Sequence, residues 1–411
     1  MNEEYTLELT DMTFGGDALG RLPDGRAVFV PFGLTGETVR IRIIFEKPTF
    51  ARGEILEIIT PSPRRIAPRC PHFGICGGCS YQHLSYPDQL ELKRKLVVDQ
   101  LKRLGGMPDF PVEPVVASPS PWNYRNTVQF HVSPAGKLGF QRANSNAFVE
   151  IKECHLPLQA IDNFWPQIEF EPGSGVTLAE LRQGADDDLL LNLESQVNDP
   201  PEFEVDFPLS VLYTGPSFAT VLSGDEYTLM TVRDRTFKVS ADSFFQTNLP
   251  VAEAMVEKVL ALAGDLKGKT VLDAYCGVGL FSAFMAEQAR EVISMELSDS
   301  ACEDFAANLD EFENVSLYVG PVEQMLPPLK LKPDIVVIDP PRAGLDKAVV
   351  EALVKAEPQK IIYVSCDPAT LARDIKRFGE QGYALKSVTP FDQFPQTQHI
   401  ESIALLSRAA E

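Results

Sequence analysis

From Lys269 onward, short β-branched apolar runs alternate with helical patterns until the chain ends, and no other feature limits the possible folds as tightly. Strands are read at Val271 in KTVLDA, Val292 to Met295, Val315 to Val319, Asp334 to Asp339, Lys360 to Cys366, Leu385 to Thr389 and Ile400 to Leu406. Runs apolar on both faces belong to a mostly parallel sheet covered by helices. Seven of them, mostly with helices between, predict a doubly wound α/β sheet. Sheets of this kind carry their chemistry beyond the carboxyl ends of the strands, so the residues that end each run matter most.

The first run leads into DAYCGVGLF, a tight turn at Gly277 and Gly279 that opens a helix, and Glu296 ends the second run about twenty residues later. A dinucleotide fold also uses such a turn, but the third glycine of G-x-G-x-x-G is missing, and an acid at the second strand end suits any ribose diol. Asp339-Pro340-Pro341-Arg342 ends the fourth run and Ser365-Cys366-Asp367-Pro368 the fifth. A free cysteine is most often a small buried hydrophobe. The company of Cys366, with the glycine turn and Asp-Pro-Pro-Arg upstream and Glu401 heading the last run, describes instead a methyl-transfer site with its own nucleophile. A simple dehydrogenase has no task for that thiol.

Upstream, residues 1–60 hold five short alternating runs separated by Gly15-Gly16, Pro23-Asp24-Gly25 and Phe32 to Gly36, the turn chemistry of a small OB-like barrel. Such barrels frequently bind RNA, an analogy of fold only. After the proline-rich hinge 61–68 comes C-x5-C-x2-C, with Cys70, Cys76 and Cys79 among glycines and a fourth thiol at Cys154. Four thiolates hold zinc or an iron–sulfur cluster, and the lack of paired C-x2-C knuckles favours the cluster. His72, His83 and His155 are possible competitors as ligands, although surface or capping roles are the commoner use of such histidines. Between Tyr86 and Leu104, apolar residues at helical spacing predict an amphipathic helix docked on the catalytic domain, with a solvated face of Lys93, Arg94, Lys95, Lys102 and Arg103. PSPWNYRN, residues 119–126, is either a folded turn or a set of aromatics beside Arg125 that stacks bases. Residues 156–235 are strand-like and acidic and carry no chemistry; they form the sheet of a middle domain facing away from RNA. FFQTN, residues 244–248, precedes a helix from about Pro250 to Ala263.

The 411 residues carry a formal charge of -21, which on its own argues against a nucleic-acid partner. Its distribution matters more. Residues 64–152 hold twelve Lys or Arg against six Asp or Glu, and residues 156–235 hold three against fifteen, so one basic face and one acidic flank are compatible. Seven cysteines are too few and too uneven for a disulfide framework. With no basic start, no apolar leader and no run long enough to cross a bilayer, the chain reads as cytoplasmic, without membrane contact and without an evident obligate protein partner.

The C-x5-C-x2-C with its distant fourth cysteine, then FFQTN, DAYCGVGLF, DPPRAG, SCDP and FPQTQHIES in that order, resemble the RNA 5-methyluridine methyltransferases, in particular their iron–sulfur branch with an N-terminal TRAM barrel. The resemblance spans nearly the whole chain. It implies an α/β fold with a C-terminal Rossmann-like class I methyltransferase domain (236–411), a TRAM/OB-like RNA-binding barrel (1–60) and a central α+β iron–sulfur domain (61–235). It further implies that Gln246, Tyr275, Gly277, Glu296 and Asp339 bind S-adenosylmethionine, with Asp339 alternatively on the uracil edge. Cys366 would be the nucleophile, poised as thiolate by the cofactor's charge and Arg342, and Glu401 the base. Cys70, Cys76, Cys79 and Cys154 would hold a 4Fe-4S cluster, and the substrate would be a uridine in 23S ribosomal or transfer RNA. Two positions depart from the family pattern: Leu280 stands where a small polar residue is common, and Thr127 where a lysine is. Two other readings are methylation of an exocyclic base nitrogen, which needs neither Cys366 nor Glu401, and a non-catalytic RNA-binding protein on the same fold. A 5-methylcytosine enzyme is disfavoured by the absence of any Pro-Cys dipeptide.

Overall fold

A computed structural model describes residues 3–202 and 207–408. Contacts divide the chain into two compact units. The first holds the chain up to Leu96 with Phe140–Val149 and Phe394–His399; the second holds Val97–Gly139, Glu150–Gln393 and the chain from Ile400 on.

In the first unit, β1 (Glu4–Met12), β2 (Ala18–Arg21), β3 (Ala27–Val30), β4 (Thr38–Glu46) and β5 (Phe50–Thr60) close a barrel in the order β1-β2-β3-β5-β4. Alternation drives the closure: Leu7, Leu9, Val28, Val30, Val39, Ile41 and Ile43 turn inward and are buried, while charged neighbours face out. Helix α1 (Tyr86–Arg103) forms as expected, its residues through Leu96 belonging to the first unit and the rest to the second. Its basic residues are not all solvated. Lys93 is wholly buried and its Nζ donates to the Phe394 carbonyl at 3.0 Å. One turn earlier the buried Gln89 donates from Nε2 to Gln396 Oε1 (2.9 Å) and accepts from the Gln396 N–H at its Oε1 (3.0 Å). These two side chains therefore hold the strip Phe394–His399 that runs directly into Glu401, a structural use of charge and amide that periodicity alone assigns to solvent.

The second unit contains two large sheets. One is built from β6 (Thr127–Val132), β7 (Leu138–Gln141), β8 (Phe148–Glu150), β9 (Val176–Gln183), β10 (Leu189–Ser195), β11 (Ser210–Thr214) and β12 (Ala219–Ser223), in the order β12-β11-β10-β9-β6-β7-β8, with helix α2 (Gln159–Phe164) between β8 and β9. A hairpin of β13 (Tyr227–Val232) and β14 (Arg235–Ser240) follows, and then α3 (Leu249–Ala263), with Pro250 in its first turn. The expected domain limit at 235 thus falls where β14 begins.

The other sheet has seven strands: β15 (Thr270–Ala274), β16 (Glu291–Glu296), β17 (Val315–Val319), β18 (Ile335–Ile338), β19 (Lys360–Ser365), β20 (Tyr383–Phe391) and β21 (Glu401–Arg408). Helices α4 (Leu280–Ala286), α5 (Asp299–Asn308), α6 (Val322–Met325), α7 (Lys347–Ala356) and α8 (Pro368–Gly379) connect them. The order is β17-β16-β15-β18-β19-β21-β20; the first five strands are parallel, and β21 enters antiparallel between β19 and β20. Val271, Val292, Val337, Ile362 and Ile403 are wholly buried in its core, which is why their runs read as continuous apolar strands. Among the described residues no helix is long and apolar enough to cross a membrane.

Candidate active site

The chain leaves β15 through a turn in which Tyr275 (φ 65°), Gly277 (φ 55°) and Gly279 (φ 95°) are all left-handed. A tyrosine in that region is strained, and backbone bonds to the next strand hold it there: the Tyr275 and Cys276 N–H groups both donate to the Met295 carbonyl, at 2.9 and 3.0 Å. The two glycines serve different ends. A Cβ on Gly279 would lie 2.4 Å from Leu309 Cδ1, so its absence lets α5 pack; a Cβ on Gly277 would meet nothing within 4 Å, so that glycine faces open space. Beside this space, Glu296 accepts from the Gly277 N–H at one carboxylate oxygen (2.9 Å) and from the Leu297 and Ser298 N–H groups at the other (2.7 and 2.9 Å). An open cradle over a glycine, bordered by an acid locked in one orientation, fits a polar ligand such as S-adenosylmethionine. Leu280 is buried in the apolar core.

Two carboxyl groups below the cradle are pushed up to about 7. For Asp339, at the end of β18, the cause is desolvation. Asp273 in β15 is wholly buried; desolvation raises it, with Asp339 and Glu296 adding to the effect, while its bond from Ser282 Oγ (2.6 Å) opposes it. Ser282 in turn meets Ser294 at 2.9 Å. Sequence reading missed Asp273, although an acid inside an apolar strand was the available signal. A carboxyl raised on folding favours the native state below its unfolded value near 4, and that contribution disappears as pH rises through 7. Asp273→Asn is therefore expected to flatten the fall in unfolding free energy between pH 5 and 8, by on the order of 3 kcal/mol, in denaturant titrations of both proteins.

The antiparallel entry of β21 brings Cys366 and Glu401 together. The β19–β21 ladder ends with Ser365 opposite Ser402, so the next residues on each side are Cys366 and Glu401. Glu401 is 7% exposed and Cys366 half-buried. The Cys366 thiol is pushed up to about 11 by burial first, then by the charges of Glu401 and Asp339, with Arg342 opposing. Burial and the two carboxyl groups therefore favour the thiol form, and the Arg342 guanidinium works against them. The following Asp367 caps α8, accepting from the Ala369 and Thr370 N–H groups at 2.9 and 2.8 Å, and so fixes the turn that carries the thiol.

Gln246, between β14 and α3, is half-buried; its Oε1 accepts from Gln393 Nε2 at 3.0 Å and its carbonyl from Asn126 Nδ2 at 3.0 Å. Thr127, the departure on β6, donates from Oγ1 to Asn126 Oδ1 at 3.0 Å. Asn248, the last residue of FFQTN, is wholly buried, as is Gln393, which no sequence pattern marked.

Cys70, Cys76 and Cys79 belong to the first unit and Cys154 to the second, and all four are half-buried. The Gly78 N–H donates to Cys76 Sγ at 3.4 Å. His83, one of the competing ligands, is instead buried against Phe73, and burial lowers its pKa to about 4. Among the described residues no group of three or more His, Cys, Asp or Glu side chains is arranged to hold a metal ion.

Known proteins match this arrangement along the whole chain. The tRNA (uracil-5-)-methyltransferase family model matches residues 224–320 and 329–409, and the TRAM domain model residues 2–56. An uncharacterized RNA methyltransferase of Bacillus cereus is 33% identical over 447 residues, covering 99% of this chain and 97% of that protein. One from Clostridium tetani is 35% identical over 451 residues, covering 99% and 96%. Among solved structures, the Pyrococcus abyssi tRNA (uracil-54, C5)-methyltransferase in complex with S-adenosyl-L-homocysteine is 26% identical with a TM-score of 0.75, covering 99% of this chain and 100% of that one. With the strand order, the glycine cradle and the paired Cys366 and Glu401 already in place, the chain belongs to the tRNA (uracil-5-)-methyltransferase family, as an S-adenosylmethionine-dependent RNA methyltransferase with an N-terminal TRAM domain.

Proposed function

We propose that the protein methylates carbon 5 of a uridine in structured RNA, transfer or ribosomal, through a temporary bond between Cys366 and carbon 6. The observation that carries this reading is the juxtaposition of Cys366 and Glu401 across the end of the β19–β21 ladder, with Asp339 and Arg342 close enough to affect the thiol. Carbon 5 of uracil is not nucleophilic enough to take a methyl group unaided. Addition of the Cys366 thiolate forms the sulfur–carbon 6 bond and moves the electron pair of the ring double bond towards carbon 5. Gln246, Tyr275, Gly277, Glu296 and Asp339 would hold S-adenosylmethionine, whose methyl group would bond to carbon 5 as S-adenosylhomocysteine leaves. Glu401 then removes the carbon 5 proton, the double bond returns and Cys366 leaves as thiolate. The target base has to leave its stack to reach strand ends arranged in this way.

A trapping experiment tests the bond. RNA carrying 5-fluorouridine at the target position has no proton for Glu401 to take, so the protein is expected to stop as a denaturation-resistant adduct through Cys366, found by peptide mass spectrometry. Recovery of unmodified Cys366 from protein that methylates ordinary RNA would refute the assignment.

We also propose that Cys70, Cys76, Cys79 and Cys154 hold a 4Fe-4S cluster. Support comes from the all-thiolate donor set and the N–H bond onto Cys76 Sγ, of the kind that stabilises sulfur ligands of such clusters. Protein purified without oxygen is expected to be brown and to contain about four irons per chain. A colourless protein containing one zinc would count against the cluster.

A further inference from the structure

An amide side chain has a donor end and an acceptor end, and which of them Gln246 turns to a ligand is decided by its neighbours. Its Oε1 is taken up by Gln393 Nε2 at 3.0 Å and its backbone carbonyl by Asn126 Nδ2 at 3.0 Å. Among the described residues no protein group accepts from Gln246 Nε2, and the side chain is half-buried rather than enclosed. Gln393 is wholly buried just beyond β20, which leaves its side chain little room to turn away, and its backbone carbonyl accepts from Asn248 Nδ2 at 3.3 Å. Asn248, wholly buried too, donates from the same nitrogen to Ser118 Oγ at 3.1 Å. The arrangement has a cost, since Gln393 Oε1 and Asn248 Oδ1 are buried without hydrogen-bond partners.

We infer that Gln393 is a positioning residue: by holding Gln246 Oε1 it presents the Gln246 NH2 as a donor to an acceptor atom of bound S-adenosylmethionine. The inference rests on the reading of Gln246 as a cofactor contact. It makes the orientation of one amide, rather than its presence, the property that Gln393 supplies.

Titration calorimetry of the full-length protein with S-adenosylhomocysteine, without RNA, separates the two. Gln246→Ala is expected to raise Kd about tenfold; unchanged affinity would overturn the cofactor role of Gln246 itself. Gln393→Met, close in volume but without hydrogen bonds, leaves the Gln246 amide free to choose and is expected to raise Kd about threefold. Gln393→Glu offers only acceptors, so it draws Gln246 Nε2 towards itself and turns Oε1 to the ligand; a rise of tenfold or more is expected. A packing role gives the opposite ranking, because glutamate is nearly isosteric with glutamine. Gln246→Glu, which keeps the bond from Gln393 but presents only oxygen, is expected to match the Gln393→Glu loss without altering a buried residue. If Gln246→Ala weakens binding while Gln393→Glu binds as well as Gln393→Met or better, Gln393 does not orient the amide.

Discussion

Cys366→Ala is expected to lose methyl transfer to RNA by roughly 10⁴-fold or more in kcat, with S-adenosylhomocysteine affinity and thermal stability close to those of the parent protein. The size of the effect follows from the chemistry: without sulfur at carbon 6, carbon 5 has no electron density to offer. Transfer of labelled methyl to total RNA measures it. Retention of transfer within tenfold would redirect the reading to an exocyclic nitrogen, where no thiol is needed. The raised thiol makes a second readout available. With a value of about 11 in the free protein, the thiolate fraction rises with pH across the whole working range. Single-turnover rates of the parent protein should climb between pH 6 and 9; a flat profile would show that the thiol is already ionised in the complex with cofactor and RNA.

Much of this site could be read along the chain because parallel strands ending in polar residues leave a local signature. The DAYCGVGLF turn, Glu296, Asp339 and Cys366 each follow an apolar run that is buried on both faces, so the position of each at a carboxyl strand end could be inferred before any contact was known. What could not be inferred is where a strand is inserted. Glu401 is simply the first residue of an apolar run in the sequence, and only the antiparallel entry of β21 between β19 and β20 sets it opposite Cys366. Burial of polar residues was equally hidden. Lys93 sits among basic neighbours that periodicity places in water, yet it is wholly buried with its ammonium on the Phe394 carbonyl. Gln393 has no pattern around it either, and Asp273 shows only an acid inside an apolar strand; the surroundings of both are assembled from segments far apart in sequence. The surroundings of the Cys366 thiol were hidden in the same way: its burial, and the charge of Glu401 that pushes it up, both come from how the strands are assembled.

Glu401→Gln separates the two halves of the reaction. Bond formation at carbon 6 and methyl transfer need Cys366, but release needs a base at carbon 5, and an amide cannot take that proton. The variant is therefore expected to turn over roughly 10²–10⁴-fold more slowly while still transferring about one methyl group per chain. That methyl should remain in a protein–RNA adduct that survives denaturation and carries label from the cofactor. Cys366→Ala, by contrast, yields neither adduct nor labelled RNA. Gel electrophoresis with labelled cofactor distinguishes the cases in one experiment. Steady turnover by Glu401→Gln with no adduct would assign proton removal to another group. Asp339 is then the next carboxyl to replace, because its charge also reaches the thiol and its own value near 7 lets it exist in either protonation state at working pH.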